Sequence, residues 1–387
     1  MYLPLAAVTT IVVVGAFEIG KRIRTRRSAS LHGCQAAVLG CVATASVAAV
    51  LTFLTIQRNR DYRSALAIWQ DTVEKRPRNP RARASLGLTL AAAGRVPEAI
   101  GCYQQALRLL PDYPEAHNNL GIVLMGQGRL PEAISHYEQA LLAKPEYVEA
   151  RVNLGSALVG MGKVREAIEQ FEQALRIQPR FAPAHRNLGK TLDRAGRVPE
   201  AVQHLEEAVR LNPDDADSRV DLGMTLVRQG RLMDAVAHYQ QAVRIAPRNA
   251  AAQKELGAIL IVTGKPRDAI GHLELALQIS PNTTDAQNNL AWVLATLPPA
   301  DGGDPVRAVI LAERTCQSPG NTAAGYLDTL AVAYAAAGRF NEAIATAQKA
   351  IELARSTGQP KLADQIESRL QLYRTGHPYR APAPPHL

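Results

Sequence analysis

A chain of 387 residues is long enough for two or three compact domains or for one long array of repeats. Apolar residues make up 47% but aromatics only 5%, so a core must come from Ala, Leu, Ile and Val, a mixture that suits closely packed helices. The formal charge of +9 is uneven: residues 1–63 carry eight basic against two acidic side chains, which leaves +3 for the rest and argues against a phosphate-binding surface, so no nucleic-acid partner is expected.

Residues 1–57 read as a membrane region. Residues 3–19, LPLAAVTTIVVVGAFEI, are apolar with one acid near the far end and no basic residue before them, which fits a short span better than a secretory signal. A second apolar stretch covers 31–56, and within it Ala36, Gly40, Thr44 and Ala48 recur at four-residue spacing. Such a small-residue face lets another helix approach closely, so other transmembrane helices are expected partners. The linker 20–30 contains KRIRTRR, and the positive-inside rule places it in the cytoplasm. The expectation is therefore an integral membrane protein whose repeat domain lies on the extracytoplasmic, periplasmic or lumenal, side.

From Gly94 to Gly264 a glycine followed by Arg or Lys returns every 34 residues, at 94, 128, 162, 196, 230 and 264. A Leu-Gly pair keeps the same step, from Leu86-Gly87 to Leu256-Gly257. So do an alanine (Ala99 to Ala269), a bulky group (Tyr103, Tyr137, Phe171, Leu205, Tyr239, Leu273), a second alanine (Ala106 to Ala276) and a closing proline (Pro111 to Pro281). Apolar spacings of three and four predict two amphipathic helices per unit. The glycine before Arg or Lys suits a left-handed turn that ends the first helix. Proline at 97, 131 and 199 and glutamate at 98, 132, 166 and 200 suit the opening turn of the second. Small residues allow close approach of the two helices, the bulky one fills the gap, and the closing proline stops the unit.

These columns resemble the tetratricopeptide repeat, over Asp61 to about Arg355. The resemblance implies an all-α chain, a right-handed superhelix of helix pairs, here preceded by two transmembrane helices. Residues 61–79, with Ala65, Trp69 and Pro77, fit only the second-helix columns and read as a half repeat. About eight repeats are expected over 80–355. Beyond Pro281 the pattern loosens: Leu290-Ala291 replaces Leu-Gly, and an enlarged turn is expected at 297–305. Leu362, Ile366, Leu370 and Tyr373 form one apolar stripe, read as a capping helix within 356–375, and 376–387 reads as a disordered tail.

Directly before four of the Leu-Gly-type pairs stands an asparagine: Asn119, Asn153, Asn187 and Asn289. A primary amide both donates and accepts, so a row of them on the concave side is a candidate site for the backbone of an extended peptide. Ser85, Asp221 and Glu255 interrupt the row. Similar rows occur in the repeats of protein O-GlcNAc transferases, which by resemblance supports a peptide groove and protein or peptide partners. The bland alternative is an ordinary polar position on a solvated helix.

Nothing in the chain reads as catalytic. HExxH, GxxxxGK[ST] and GxSxG are all missing from it. The cysteines at 34, 41, 102 and 316 lack CxxC spacing and define neither a zinc site nor a disulfide framework. Histidines 117, 136, 185, 204, 238 and 272 fall at repeat positions, and Asp214, Asp215 and Asp217 read as a solvated turn. No metal and no cofactor is expected. MYLPLAAV, the two spans, the basic linker and DYRSALAIWQDTVEKRPRNPRA also resemble the carboxy-terminal part of multispanning transmembrane-and-tetratricopeptide proteins linked to O-mannosyl transfer. Two expectations follow: a membrane-anchored, non-enzymatic scaffold, or the substrate-docking part of a membrane glycosyltransferase whose catalytic acids lie outside this chain.

Overall fold

The computed structural model describes residues 50, 64–317 and 323–380. The chain divides into two compact units, residues 1–145 and 146–387. In the first, α1 (Ala65–Lys75) precedes two helix pairs, α2 (Pro80–Ala92) with α3 (Val96–Leu109) and α4 (Pro114–Gly126) with α5 (Leu130–Ala143). The second unit continues in pairs: α6 (Val148–Gly160) with α7 (Val164–Ile177), α8 (Ala182–Arg194) with α9 (Val198–Leu211), and α10 (Ala216–Arg228) with α11 (Leu232–Ile245). Next come α12 (Ala250–Val262) with α13 (Pro266–Ile279), α14 (Thr284–Thr296) with α15 (Pro305–Gln317), and α16 (Ala324–Ala336) with α17 (Phe340–Ser356); a lone α18 (Pro360–Arg374) follows. The even-numbered helices are the first members of their pairs, and the described residues contain no strand.

The 34-residue step is built from a tight turn within each pair. After α4, Gly128 takes φ 76°, which costs glycine little and other residues much. This lets Gly128 N donate to Met125 O at 2.9 Å and Arg129 N to Leu124 O at 3.0 Å, satisfying the last carbonyls of the helix. Arg129 then reaches forward over the start of α5, its Nε 2.7 Å and its Nη2 2.5 Å from the two carboxylate oxygens of Glu132. Arg95 with Glu98, Arg197 with Glu200 and Arg339 with Glu342 repeat the fork. In each, the hydrogen bonds from the guanidinium hold the glutamate below the usual carboxylate range. The basic residue after the turn glycine thus clips the turn to the helix that follows.

Between the helices of a pair, large sits on small. A Cβ on Gly121 would lie 2.6 Å from Tyr137 Cε1, one on Gly155 2.6 Å from Phe171 Cε1 and one on Gly189 2.6 Å from Leu205 Cγ. Each of these partners is fully buried, as are the alanines before and after it, Ala133 and Ala140 around Tyr137. In the last two pairs the same positions hold Ala291 with Ala312 and Ala331 with Ala347, all buried, so bulk moves to the glycine side and leaves the other. The connection from α14 to α15 is longer than its counterparts. It contains a 3-10 turn at Pro299–Asp301, Gly302 at φ 94°, and a bond from Asp304 N to Leu294 O at 2.9 Å.

The sequence expectation of membrane spans is corrected here. No helix among the described residues is long and apolar enough to cross a bilayer. The longest, α17, has 17 residues, against about 20 needed for the hydrocarbon layer, and the other paired helices stop at 13 or 14 because the turns at their ends cut them. Segments 3–19 and 31–56 and the linker 20–30 lie outside the described residues, apart from Val50. The fold class is an all-α repeat array, and the expected two transmembrane helices and integral-membrane localisation with extracytoplasmic repeats find no support in it.

Candidate peptide-binding face

The candidate asparagines sit on first helices. In the first unit Asn119 is half-buried on α4, and Ser85 holds the same position on α2. In the second, Asn153 on α6, Asn187 on α8, Asp221 on α10, Glu255 on α12 and Asn289 on α14 are half-buried in turn. The leucine after each is buried against the second helix, so its neighbour is rotated by about 100° to the rim of the core. Three residues on, the same strip carries Ile122 (43% exposed) in the first unit and Met224 (39% exposed) in the second. Among the described residues no side-chain partner meets the amide of Asn119 or Asn289, whereas Asn187 Nδ2 lies 3.4 Å from Ser156 Oγ on the preceding first helix.

The acids that interrupt the row are occupied. Arg186 Nε on α8 donates to Asp221 Oδ2 at 2.6 Å, and Lys190 Nζ stands 3.5 Å from the other oxygen. Arg228 on α10 returns the connection to Asp193 on α8 at 2.7 Å. Lys254 Nζ lies 2.8 Å from Glu255 and 3.8 Å from Asp285, which also accepts from Tyr326 OH at 2.8 Å. Two successive pairs of first helices in the second unit, α8 with α10 and α12 with α14, are therefore cross-linked by charge. Between α10 and α12 an open cleft of about 240 Å3 is lined by Met224, Val227, Ile259 and Val262, with Arg228 and Glu255 at its rim.

The histidines are placed by packing. His117 Nδ1 lies 3.0 Å from His136 Nδ1, and His185 Nδ1 lies 3.0 Å from His204 Nδ1. The other nitrogen of each first-helix ring meets the closing proline six residues back, Pro111 O at 2.8 Å and Pro179 O at 3.0 Å. Gln253 and Gln287 donate to Pro247 O and Pro281 O at 2.8 and 2.7 Å, and Arg219 reaches Pro213 O at 2.9 Å. This column clamps the turn between units, a role that variation among His, Gln and Arg hid in the sequence; only the constant six-residue step to proline signals it. Burial first, and then the neighbouring ring, push His136 and His204 below the ordinary imidazole value. Asp215 accepts from Asp217 N at 3.1 Å at the start of α10, and Asp217 accepts from Asn249 Nδ2 at 2.8 Å, so this turn is spent on structure. Among the described residues no group of three His, Cys, Asp or Glu side chains is placed to hold a metal ion.

Paired antiparallel helices with a glycine turn, a small-on-large contact and a proline stop define a helical-repeat protein. Family comparison agrees on the kind of repeat: a model for the C-terminal domain of cilia and flagella-associated protein 70 matches residues 111–302, a TPR repeat model matches 87–128 and a tetratricopeptide repeat model matches 324–357. The chain carries tetratricopeptide repeats. Among solved structures, part of an anaphase-promoting-complex hetero-tetramer, Cut9-Hcn1, shares the fold, with TM-score 0.55 and 20% identity over 61% of this chain and 46% of that one. A thermophilic TPR protein of Thermus thermophilus is 25% identical over 47% of this chain and 99% of its own, with TM-score 0.42. YrrB, described as a TPR protein with an unusual peptide-binding site, is 24% identical over 48% of this chain and 95% of its own, with TM-score 0.38. No curated protein matches in sequence. These similarities concern the repeats; none of them carries the expected likeness to O-mannosyl transfer proteins.

Proposed function

We propose that the chain is a protein-interaction scaffold, not an enzyme, whose first helices hold an extended peptide by its backbone. The observation that supports this most is the half-buried amide at the position before the Leu-Gly pair, with Asn119 and Asn289 lacking an internal partner among the described residues. A half-buried amide gains most from a ligand that donates and accepts at once, as a peptide group does. The charge ladder through Asp221 and Asp193 holds the helices in place and leaves backbone recognition to the amides. The cleft between Met224 and Val262 then takes an apolar side chain of the same peptide.

The test starts from peptides selected on the wild-type chain from a displayed random library. Their affinity is then measured for the Asn119→Ala, Asn153→Ala, Asn187→Ala and Asn289→Ala combination. Each lost amide contact is worth about 0.5–1.5 kcal/mol, so two or more engaged positions weaken binding by roughly fivefold or more. Selected peptides that bind the fourfold variant unchanged refute the reading.

A further inference from the structure

α18 ends on Gly376 at φ 75°, with Gly376 N bonded to Tyr373 O at 3.0 Å and His377 N to Leu372 O at 2.9 Å. This is the turn that closes α4, yet no second helix follows it among the described residues. The chain runs instead through non-helical His377-Pro378-Tyr379-Arg380 to α14, two first helices back. The Tyr379 ring stands 5.8 Å from that of Trp292, and Arg369 of α18 lies 5.4 Å from each of the two rings. Arg369 is itself fixed by Asp328 of α16, with Nε 3.1 Å and Nη2 2.6 Å from its carboxylate. Arg380 Nη1 donates to Ala295 O at 3.2 Å and to Leu297 O at 2.9 Å.

Two features make this a ligand seat. Trp292 lies three residues beyond Asn289, on the same strip of α14 that carries the amide row. In the glycine turns, the carbonyl matching Ala295 O is taken by the turn glycine, as Met125 O is by Gly128 N. The longer connection after α14 withdraws that donor, and a guanidinium fills the place, where the negative end of the helix favours a cation. The segment contributes one aromatic contact, one proline and one arginine.

We propose that the Trp292 strip is a docking site for an extended proline–aromatic–arginine peptide, and that His377–Arg380 occupies it as a tethered ligand which a partner of the same chemistry displaces. The proposal deepens the peptide-binding reading, resting on the first helices as the ligand face but not on the asparagines. A tether supplies an effective concentration on the order of millimolar, so the resident segment holds a weak site closed without any further contact. Its few contacts leave it displaceable by a ligand that engages more of the strip.

The probe is a fluorescent synthetic peptide of residues 376–387, titrated by anisotropy onto the full chain and onto the full chain carrying Tyr379→Ser and Arg380→Ser. The double variant should bind at least tenfold tighter than wild type, and adding Trp292→Ala should abolish that gain. Matched far-ultraviolet circular-dichroism melts establish that all three chains are folded. Equal binding by wild type and double variant, no binding by either, or binding indifferent to Trp292→Ala overturns the proposal. Asn119, Asn153, Asn187 and Asn289 are intact in every chain, so failure here leaves the amide-row test standing, and the reverse also holds.

Discussion

The contact between Gly121 and Tyr137 predicts a reversal of sign. Gly121→Ala places a Cβ 2.6 Å from Tyr137 Cε1, about 1 Å inside ordinary carbon contact, on a ring that is fully buried and has no free space to enter. Overpacking of this kind costs about 1–3 kcal/mol, while alanine inside a helix recovers about 1 kcal/mol over glycine. The net expectation is a loss of about 0–2 kcal/mol. Tyr137→Ala alone empties the site and costs about 3–5 kcal/mol. In that background Gly121→Ala meets no ring, keeps its helix gain and fills part of the void, so it should stabilise by about 1 kcal/mol. The double variant recreates the arrangement of Ala291 with Ala312 and of Ala331 with Ala347, which the chain already uses. Because a repeat array unfolds in parts, the readout is hydrogen exchange of α4 and α5 amides rather than one global transition. Gly121→Ala having the same sign in both backgrounds would refute the small-on-large account.

Two further outcomes follow from the turns. His136, His204, His238 and His272 are all held below the ordinary imidazole value, each chiefly by burial, so between the folded and unfolded pKa the unfolded chain binds more protons. Stability is then full above about pH 6.5 and falls as pH drops through it towards the folded values, by at most about 1.4 kcal/mol per pH unit for each ring. His117→Gln, which copies the Gln253–His272 pair, should flatten the acid side of the exchange profile of α4 and α5, and an unchanged slope would show that ring–ring repulsion is irrelevant. Gly303→Ala sets a Cβ 2.0 Å from Leu297 O, a backbone atom that cannot swing aside, so exchange in the segment joining α14 and α15 should rise by at least tenfold while α6 to α8 stay protected. Uniform exchange across the second unit would contradict a local effect.

Much of the repeat was legible because its columns are one-residue decisions. Only glycine takes the φ of 76° at position 128 cheaply, and only a small residue tolerates Tyr137 above position 121, so both columns survive as letters. Contacts that several residue types make equally well were not legible. The clamp onto the closing proline is made by His117, Arg219 or Gln253, and the partner of Arg129 became clear only when the turn brought Glu132 to it. The membrane expectation rested on apolar length in segments that lie outside the described residues, while every described helix is shortened by its turn. The asparagine row was found by its column, but nothing in the column told that Asp221 and Glu255 are occupied by cations. Tyr379 and Trp292 stand far apart in sequence, and no periodicity connects them.

The charge ladder bears on what kind of ligand the first helices can select. An acid at the amide position would repel a peptide carboxylate and attract lysine, were it free. Asp221 is not free: a guanidinium at 2.6 Å and an ammonium at 3.5 Å surround it, and its side chain is only 13% exposed. A ligand cation approaching it must displace a partner already desolvated there, so the gain is an exchange and not a new ion pair. Glu255 stands in the same relation to Lys254. On the proposed reading, the groups left to discriminate are amides such as Asn289, to read the backbone, and the apolar cleft beside Met224, to read one side chain. At Trp292 the situation differs, because Arg369 is fixed by Asp328 and offers an aromatic side chain a cation to lie against. On the proposed reading, the second unit changes along its length from backbone recognition by amides to aromatic recognition on α14, where its own Tyr379 packs against Trp292.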